Sequence, residues 1–321
     1  MNNQIQRVNG PNELIHQHPD VSELLEAFLS GRSPKTIDAY RQDLESFRRF
    51  TDTCTIDTAC GFLFKAGQGP ANHIALKFRT YLIEDGKSPN TVNRRLAALR
   101  SLVKLARTLG MVSWSLDVEN MKVEAYRDTR GPGTNGVKRI LAAAQATRNE
   151  DKAIRDTAIV RLLHDLALRR GEVVKLDLSD LDLSNDRLSI LGKGRTQKSW
   201  LTLPAPTKSA LEAWIQIRGE EEGPLFTNFD RSGKGNSKRL SGRSVHRIIK
   251  QLGEVVGLDT RPHGLRHTAI TEAIKKAQEN GIDIEEVLDF SRHRDIKVLM
   301  VYRDRERNVQ GSLARIVADN L

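Results

Sequence analysis

Apolar residues recur at three- and four-residue spacing in the first third of the chain, which is typical of amphipathic helices. The clearest stripe consists of Ile37, Tyr40, Leu44, Phe47 and Phe50. Ser33 and Ser88 are each followed by proline, and a serine N-cap with proline at the first helical position marks a helix start. The pattern predicts helices at 21–29, 35–50, 72–83 and 91–109. Together they form a four-helix, all-α domain at 18–112, preceded by a polar tail at 1–17.

The pattern breaks between residues 113 and 136. This segment is polar and ends in the turn-rich run Gly-Pro-Gly-Thr-Asn-Gly at 131–136, so we expect a linker at 113–136. The three glycines have the spacing of a dinucleotide-binding fingerprint. Pro132 lies inside that run and no apolar strand precedes it, so the strand–loop–helix setting of such a site is absent.

Helix and strand patterns are mixed in the second half, at 137–321. Helices are predicted at 137–146, 151–168, 206–218, 242–256, 264–278, 284–290 and 295–304. Three short β segments, at 176–183, 187–191 and 199–203, are predicted between the second and third of these helices. The predicted fold is therefore two-domain: the all-α N-terminal domain, then a mainly helical α+β domain with a small three-stranded antiparallel sheet.

Composition narrows the class of protein. Of the 321 residues, 38% are hydrophobic and 29% are charged, as in folded globular domains. No run approaches the roughly 18 apolar residues of a transmembrane helix. Cys54 and Cys60 fit neither a disulfide scaffold nor a zinc site. We expect a folded protein of the reducing cytoplasm with no membrane partner.

The charge balance points to a polyanionic partner. Lys and Arg number 51 against 41 Asp and Glu, a net charge of +10, which favours DNA or RNA. No acidic residue occurs at 86–116 or at 231–253. The candidate DNA-contacting residues in these stretches are Arg94, Arg95, Arg100, Lys104, Arg239, Arg243 and Arg247. Charge alone leaves solvated helix faces as the alternative, and the basic loop at 231–243 either is solvated or orders against the DNA backbone.

Side chains suited to phosphate chemistry occur in separate motifs of the second half. They are Arg169, Lys193, His263, Arg266, His293 and Tyr302. Guanidinium forks bind phosphate oxygens in a bidentate way and neutralise the charge of a pentacoordinate transition state. No cluster of Asp and Glu has the spacing of a two-metal site, so we expect cationic side chains to take the place of metal ions. No cofactor is expected.

The spacing of His293 and Tyr302 requires an interruption of the helix if both belong to one site. Nine residues at 100° each place His293 and Tyr302 on opposite faces of a continuous helix. They share a site only if the helix is interrupted between them, and Asp295 is a plausible N-cap for a new helix there.

As an ordered set, these motifs resemble the tyrosine recombinase (phage integrase) family. They are Ala-Leu-Arg-x-Gly-Glu at 167–172, Gly-Lys-Gly at 192–194, His-x-Leu-Arg-His-Thr at 263–268, and a histidine with a tyrosine nine residues later. The resemblance spans roughly residues 18–304, and the helical half is similar to the family's core-binding domain. It implies an enzyme that cuts and rejoins DNA without metal or ATP, in integration, excision or resolution of mobile DNA.

The resemblance also implies residue roles. Tyr302 matches the nucleophile that forms a 3′-phosphotyrosine, and a phenol of pKa about 10 needs help to react at neutral pH. The ligands of the scissile phosphate would be Arg169, Arg266 and His293. The proton-transfer residues would be Lys193, as the general acid, and His263, as the base or proton shuttle. The supporting residues would be Glu172 and His267.

Some details stay open at this level. The family commonly has Leu-Gly-His before the histidine ligand, whereas this chain has Ser-Arg-His at 291–293, and Arg292 either contacts DNA or is solvated. Arg170 adjoins Arg169, and only the register of the motif selects between them. Arg195 and Lys198 are near substitutes for Lys193.

The family resemblance implies double-stranded DNA with specific recombination sites as the partner, in a nucleoid-associated cytoplasmic enzyme. It implies a clamp around DNA, with helices 91–109 and 242–256 reading the major groove, and a tetramer on DNA. The tail at 303–321 docks either on a neighbouring protomer or on its own domain, and accessory proteins are possible. Two rival functions are a type IB topoisomerase-like relaxing enzyme and a non-catalytic DNA-binding regulator.

Overall fold

The computed structural model describes residues 19–122, 131–192, 197–229, 235–293, 295–296, 299, 315 and 317–319. The chain divides into two compact units, Met1–Tyr126 and Arg127–Leu321. The described part of the first unit is helical, and the second combines helices with two small sheets. This confirms the predicted fold class. Among the described residues, no helix is both long and apolar enough to cross a membrane.

Five helices are described in the first unit, one more than predicted. They are α1 (Val21–Leu29), α2 (Pro34–Thr51), α3 (Ile56–Lys65), α4 (Gln68–Glu84) and α5 (Pro89–Thr108). The two Ser-Pro starts behave as predicted, since the Ser33 and Ser88 side chains accept hydrogen bonds from backbone N–H groups three residues on. The missed helix is α3. Its apolar stripe of Ala59, Cys60 and Leu63 is buried, and Thr55 caps its N-terminus.

The start of the predicted linker is packed instead of free. Val112, Trp114, Leu116 and Val118 are buried in the core of the first unit. They alternate along an extended segment, so one face of it is apolar. The Asn93 side chain exchanges two hydrogen bonds with the backbone of Met121, at 2.8 and 2.9 Å. The linker prediction rested on the polar, turn-rich composition of the segment, which does not reveal this packing.

Seven helices and five strands are described in the second unit. The helices are α6 (Gly133–Gln145), α7 (Glu150–Asp165), α8 (Arg170–Lys175), α9 (Ala205–Arg218), α10 (Gly242–Val255), α11 (Pro262–Glu279) and α12 (Ile284–Ser291). The strands are β1 (Leu181–Asp182), β2 (Arg187–Ile190), β3 (Ser199–Thr202), β4 (Thr227–Phe229) and β5 (Gly235–Arg239). The first three strands form one antiparallel sheet in sequence order, and β4 pairs with β5 in a second.

Two local predictions need correction, and two others are largely untested. The β segment predicted at 176–183 is mostly a 3-10 turn, Leu178–Asp180, with only β1 in the sheet. The basic loop predicted at 231–243 contains strand β5 and the first turn of α10. The helix predicted at 295–304 and the tail at 303–321 lie mostly outside the described residues.

The glycine-rich run before α6 is held by close packing. A Cβ atom on Gly131 would lie 2.1 Å from the Thr268 hydroxyl and 2.2 Å from the Gly264 carbonyl oxygen. The Gly133 N–H also donates to the Thr268 hydroxyl, at 3.2 Å. Only glycine allows this approach of the chain to α11, so the run packs against the start of the helix that carries His263 and Arg266.

Two apolar clusters support the second unit. The larger one joins α6, α7, α9 and α10 to the three-stranded sheet. The smaller cluster joins α11 and α12 to Ala167, in the turn between α7 and α8. The described candidate catalytic residues, Arg169, His263, Arg266 and His293, lie around that turn, so rigid helices fix the backbone from which their side chains extend.

Candidate active site

Arg169 is oriented by Glu172, one turn further along α8. The Arg169 Nη1 donates to Glu172 Oε1 at 2.8 Å, and the Arg169 backbone N–H donates to Glu172 Oε2, also at 2.8 Å. The Glu172 side chain is only 4% exposed, whereas that of Arg169 is 29% exposed. Arg170, by contrast, is exposed and lies against Gly242 at the start of α10. The structure therefore brings Arg169, and not Arg170, into the cluster.

Among the described cations of the site Arg266 is the most deeply buried, with 1% of its surface exposed. It extends from the first turns of α11 and donates to two backbone carbonyls, those of Ala167 and Ser291. Its Nη2 also lies 3.4 Å from the Nε2 atom of His293. Because a guanidinium only donates, this contact favours the His293 tautomer with its proton on Nδ1.

The two histidines of the site have lowered pKa values. Burial, followed by the charges of Arg266 and Arg169, lowers the pKa of His293 to about 4. The same causes lower the pKa of His263, although its side chain is open to solvent. Both rings are therefore neutral at pH 7. A neutral ring at position 263 is able to accept a proton, as a base must.

Arg292 was predicted either to contact DNA or to be solvated, and the solvated alternative is wrong. Its side chain is 11% exposed. Its guanidinium donates to backbone carbonyls of the turn between α7 and α8 and lies near the carboxylate of Glu172. The cluster contains three arginines, Arg169, Arg266 and Arg292, and one carboxylate, Glu172, so these side chains together carry a net positive charge. Such a cluster attracts an anion such as a DNA phosphate.

Two predicted catalytic residues, Lys193 and Tyr302, lie outside the described residues. Lys198, a near substitute for Lys193, forms an ion pair with the buried Asp180. Arg195 is also outside the described residues. His267, a predicted supporting residue, is buried on α11, with its Nδ1 3.5 Å from the Thr271 hydroxyl. Within the described part of the chain, no group of three His, Cys, Asp or Glu side chains is placed to hold a metal ion.

The predicted DNA-contacting residues of α5 fall into two groups. Arg100 donates to the Val118 carbonyl and the Asn120 side chain, and Arg95 is 14% exposed beside the buried Asp43. Arg94 also contacts Asp43, at 2.6 Å, but remains 47% exposed. Lys104 is exposed. Arg94 and Lys104 thus reach the surface of the first unit.

The same division holds in the second unit. Arg239, on β5, donates to the carbonyls of Val174 and Leu176 and pairs with Asp177. It ties the second sheet to the segment after α8. Arg243 and Arg247 lie one turn apart on the exposed face of α10.

Comparisons with known proteins agree with this architecture. A model of the phage integrase family matches residues 134–308, which is more than half of the chain. A tyrosine recombinase of Synechococcus elongatus is 36% identical over 294 residues, covering 89% of this chain and 90% of the relative. A tyrosine recombinase of Synechocystis sp. is 34% identical over 331 residues, covering 97% of this chain and 98% of the relative.

Solved structures share the fold at lower identity. The XerH site-specific recombinase bound to its palindromic difH substrate, a post-cleavage complex, has a TM-score of 0.68 at 16% identity and covers 93% of this chain and 85% of its own. A lambda integrase dimer bound to a COC′ core site has a TM-score of 0.64 at 16% identity, covering 90% and 77%.

The fold, the cationic cluster and these relatives define a DNA strand-breaking and rejoining enzyme. The chain belongs to the phage integrase family, whose members compared above are tyrosine recombinases and integrases. Site-specific recombination is the function these relatives support. Neither the topoisomerase-like enzyme nor the non-catalytic regulator is favoured.

Sequence reasoning missed the main-chain part of the site. The carbonyls of Leu166, Ala167 and Ser291 accept hydrogen bonds from Arg266 or Arg292, and a backbone acceptor leaves no signature in residue types. The sequence does contain a signal for Arg292. This residue stands at the end of a helix, at a position where the family motif has glycine, and glycine at a helix end indicates a left-handed backbone.

Proposed function

We propose that this site-specific recombinase cleaves DNA through Tyr302. The Tyr302 hydroxyl oxygen attacks the scissile phosphorus, the bond from phosphorus to the 5′-oxygen breaks, and a 3′-phosphotyrosine forms. The phenol proton passes to His263, and Lys193 supplies a proton to the departing 5′-oxygen. Because the ester keeps the bond energy, a 5′-hydroxyl of a partner strand can reverse the reaction without ATP.

In this proposal Arg169, Arg266 and His293 hold the non-bridging oxygens of the phosphate. Glu172 orients Arg169, and His267 supports α11 from its buried side. One observation supports this proposal most strongly. The three ligands come from the start of α8, the start of α11 and the turn after α12, and hydrogen bonds join all three segments. A positive pocket built from distant segments is what stabilises charge on a transferring phosphoryl group.

The proposal extends to domains and partners. The helical domain at 18–112 serves as the core-binding domain, and residues 137–321 serve as the catalytic domain. Its partner is double-stranded DNA with specific sites, and strand exchange takes place in a tetramer assembled on DNA, with the C-terminal tail docking on a neighbour. A lambda integrase tetramer has been solved on a Holliday junction. The enzyme acts in the cytoplasm, in association with the nucleoid.

A suicide-substrate experiment tests the proposed function. Nicked duplexes are drawn from the flanks of the gene and from a fragment library of the source chromosome. After incubation, denaturing gels reveal protein joined covalently to DNA, and sequencing of the captured DNA identifies the site. We expect a covalent band with the wild type, and none with Tyr302→Phe, whose DNA binding remains near normal. An adduct that persists in Tyr302→Phe, or its absence from the wild type on every fragment, contradicts the proposal.

A further inference from the structure

Arg292 occupies a backbone conformation that ordinarily belongs to glycine. It ends α12 with φ 53° and ψ 35°, in the left-handed region. A side chain with a Cβ atom is strained there, so glycine is the usual residue at such helix ends. Strained residues persist when the surrounding structure over-determines them, and they concentrate at functional sites. The side chain of Arg292 shows what holds it in this position.

The guanidinium of Arg292 contacts at least four acceptors, which come from three parts of the described chain. Its Nη1 donates to the carbonyls of Leu166, at 3.0 Å, and Phe290, at 3.1 Å. Its Nη2 donates to the carbonyl of Ala167, at 2.7 Å, and lies 3.4 Å from Glu172 Oε2. A planar fork with fixed donor directions can satisfy such a set, whereas a lysine ammonium cannot.

The contact is reciprocal. Arg169 returns a hydrogen bond from its Nη2 to the Arg292 carbonyl, at 3.1 Å. Arg266 donates to Ala167 on one side and to Ser291 on the other. Ala167 also has a left-handed backbone, with φ 46°. Two strained turns are thus joined by three arginines, and the predicted phosphate ligands extend from this joint.

We propose that Arg292 is a positioning residue of the cleavage reaction. Its guanidinium ties the turn that carries His293 to the turn that carries Arg169, so that the ligands of the scissile phosphate keep a fixed spacing. Arg292 itself touches neither DNA nor the reacting atoms. This inference rests on the proposed function, and it assigns a role to a residue that the residue motifs leave open.

Three variants separate positioning from folding. Arg292→Gly removes the fork and relieves the left-handed backbone, so the fold is retained. Arg292→Lys keeps the positive charge and loses the fork. Asp52→Gly is the matched control, because Asp52 is the exposed C-cap of α2 with φ 50° and ψ 41°. It relieves the same kind of strain at a helix end in the other unit.

Single-turnover cleavage at saturating DNA is the first readout. We expect Arg292→Gly to cleave about 10- to 100-fold more slowly than the wild type, because small misplacements of catalytic groups have effects of this size. Its DNA dissociation constant stays within about twofold, since binding rests on many phosphate contacts. The cleavage rate of Arg292→Lys lies between those of the wild type and Arg292→Gly, and Asp52→Gly cleaves at the wild-type rate. In Arg292→Gly the relief of backbone strain offsets the lost hydrogen bonds, so its thermal unfolding midpoint stays close to the wild type, as does that of Asp52→Gly. Arg292→Lys keeps the strain and loses the bonds, so its midpoint is lower.

The titration of His293 in isotope-labelled protein is the second readout, and it does not depend on activity. Within the described part of the chain, the groups whose charges lower the pKa of this ring are Arg266 and His263 of α11, Arg169 at the start of α8, and Arg292 itself. We expect Arg292→Gly to move the titration of His293 upward toward an ordinary histidine. Arg292→Lys, which keeps the cation, moves it less.

The outcomes separate the inference from the proposed function. Wild-type cleavage by Arg292→Gly overturns the inference and leaves the function intact. A loss of cleavage that only follows a lowered unfolding midpoint also overturns it, because the role is then structural. If the wild type itself forms no adduct, the proposed function fails, and an unchanged His293 titration in Arg292→Gly then overturns the positioning role as well.

Discussion

A buried carboxylate faces two arginines in each of the two units, and the two arrangements differ in how fully the carboxylate is satisfied. In the first unit, Asp43 is 2% exposed. Its Oδ2 accepts from Arg94 at 2.6 Å. Its Oδ1 lies 3.8 Å from Arg95 and accepts no hydrogen bond within the described part of the chain. Burial raises the pKa of Asp43 against the lowering effect of both arginines.

In the second unit, Glu172 receives more donors. Its Oε1 accepts from the Arg169 guanidinium, and its Oε2 accepts from the Arg169 backbone and lies near Arg292. The two carboxylates, each paired with arginines, therefore have different roles. Asp43 ties two helices together and leaves Arg94 half exposed at the surface, whereas Glu172 fixes the orientation of a cation that faces the reaction.

The matched pair Glu172→Gln and Asp43→Asn gives the largest expected contrast. In Glu172→Gln the new amide group faces donors, and two arginines lose their counter-charge. We expect the free energy of unfolding to fall by about 3 kcal/mol, the scale of a broken buried ion pair, and cleavage to fall by at least about tenfold because Arg169 loses its orientation. Thermal unfolding and single-turnover cleavage measure the two effects. Cleavage at the wild-type rate would refute the orienting role of Glu172.

The next contrast concerns pH. A histidine whose folded pKa is lowered binds fewer protons folded than unfolded, so it adds stability above pH 6.5 that is lost as the pH falls. For His293 the window runs from 6.5 down to about 4. We expect wild-type protein to lose stability relative to His293→Gln across this window. Unfolding midpoints of both proteins from pH 8 to pH 4 test this, and parallel curves would show that the ring is not held among the cations.

The cleavage rate, like the stability, is expected to fall as the pH is lowered. Because both rings are neutral at pH 7 and the pKa of His263 is lowered, single-turnover cleavage stays nearly constant from pH 8 to pH 6.5. It falls only at more acid pH, where His263 becomes protonated and loses its capacity as a base. A decline that begins above pH 6.5 would contradict a lowered pKa in the enzyme.

Exposed and internally bonded arginines of the second unit give a smaller contrast. Arg243→Ala and Arg247→Ala each remove an exposed cation of α10. We expect each to weaken DNA binding and to reduce the slope of log affinity against log salt by about 0.9. Arg239→Ala instead removes bonds to Val174, Leu176 and Asp177, so it lowers the unfolding midpoint and leaves the slope nearly unchanged. Salt titrations of DNA binding measure these slopes. Equal slopes for all three variants would contradict the division between DNA-contacting and internally bonded arginines.

Asp43→Asn has the smallest expected effect. The amide keeps an acceptor for Arg94 and removes a buried charge, so the free energy of unfolding at pH 7 changes by about 1 kcal/mol or less. A carboxyl with a raised folded pKa adds stability when protonated, and that stability is lost as the pH rises through the folded pKa. Lowering the pH therefore stabilises the wild type relative to Asp43→Asn, the opposite sign to His293. A loss as large as that of Glu172→Gln would make the two carboxylates equivalent.

The elements that local chemistry defines were predictable from the sequence. The Ser-Pro caps at Ser33 and Ser88 and the apolar stripes placed four of the five helices that are described in the first unit. The short β segments predicted at 187–191 and 199–203 correspond to β2 and β3. The missed helix α3 has the same kind of cap and stripe, at Thr55 and Ala59, in a shorter span.

The joint of the site was not predictable in the same way. Residue motifs selected Arg169, Arg266 and His293, but nothing in the residue types shows that Ala167 adopts a left-handed backbone or that its carbonyl accepts from two arginines. These are contacts between segments about a hundred residues apart. They depend on the packing of α11 and α12 against the turn after α7, which local pattern does not encode.

Mapping the residue that joins DNA tests the central claim most directly. The chain has four tyrosines, Tyr40, Tyr81, Tyr126 and Tyr302. Wild-type enzyme is trapped on a nicked substrate, digested with protease and nuclease, and the nucleotide-bearing peptide is identified by mass spectrometry. The account predicts a single modified residue, Tyr302. A nucleotide on any other residue would contradict it.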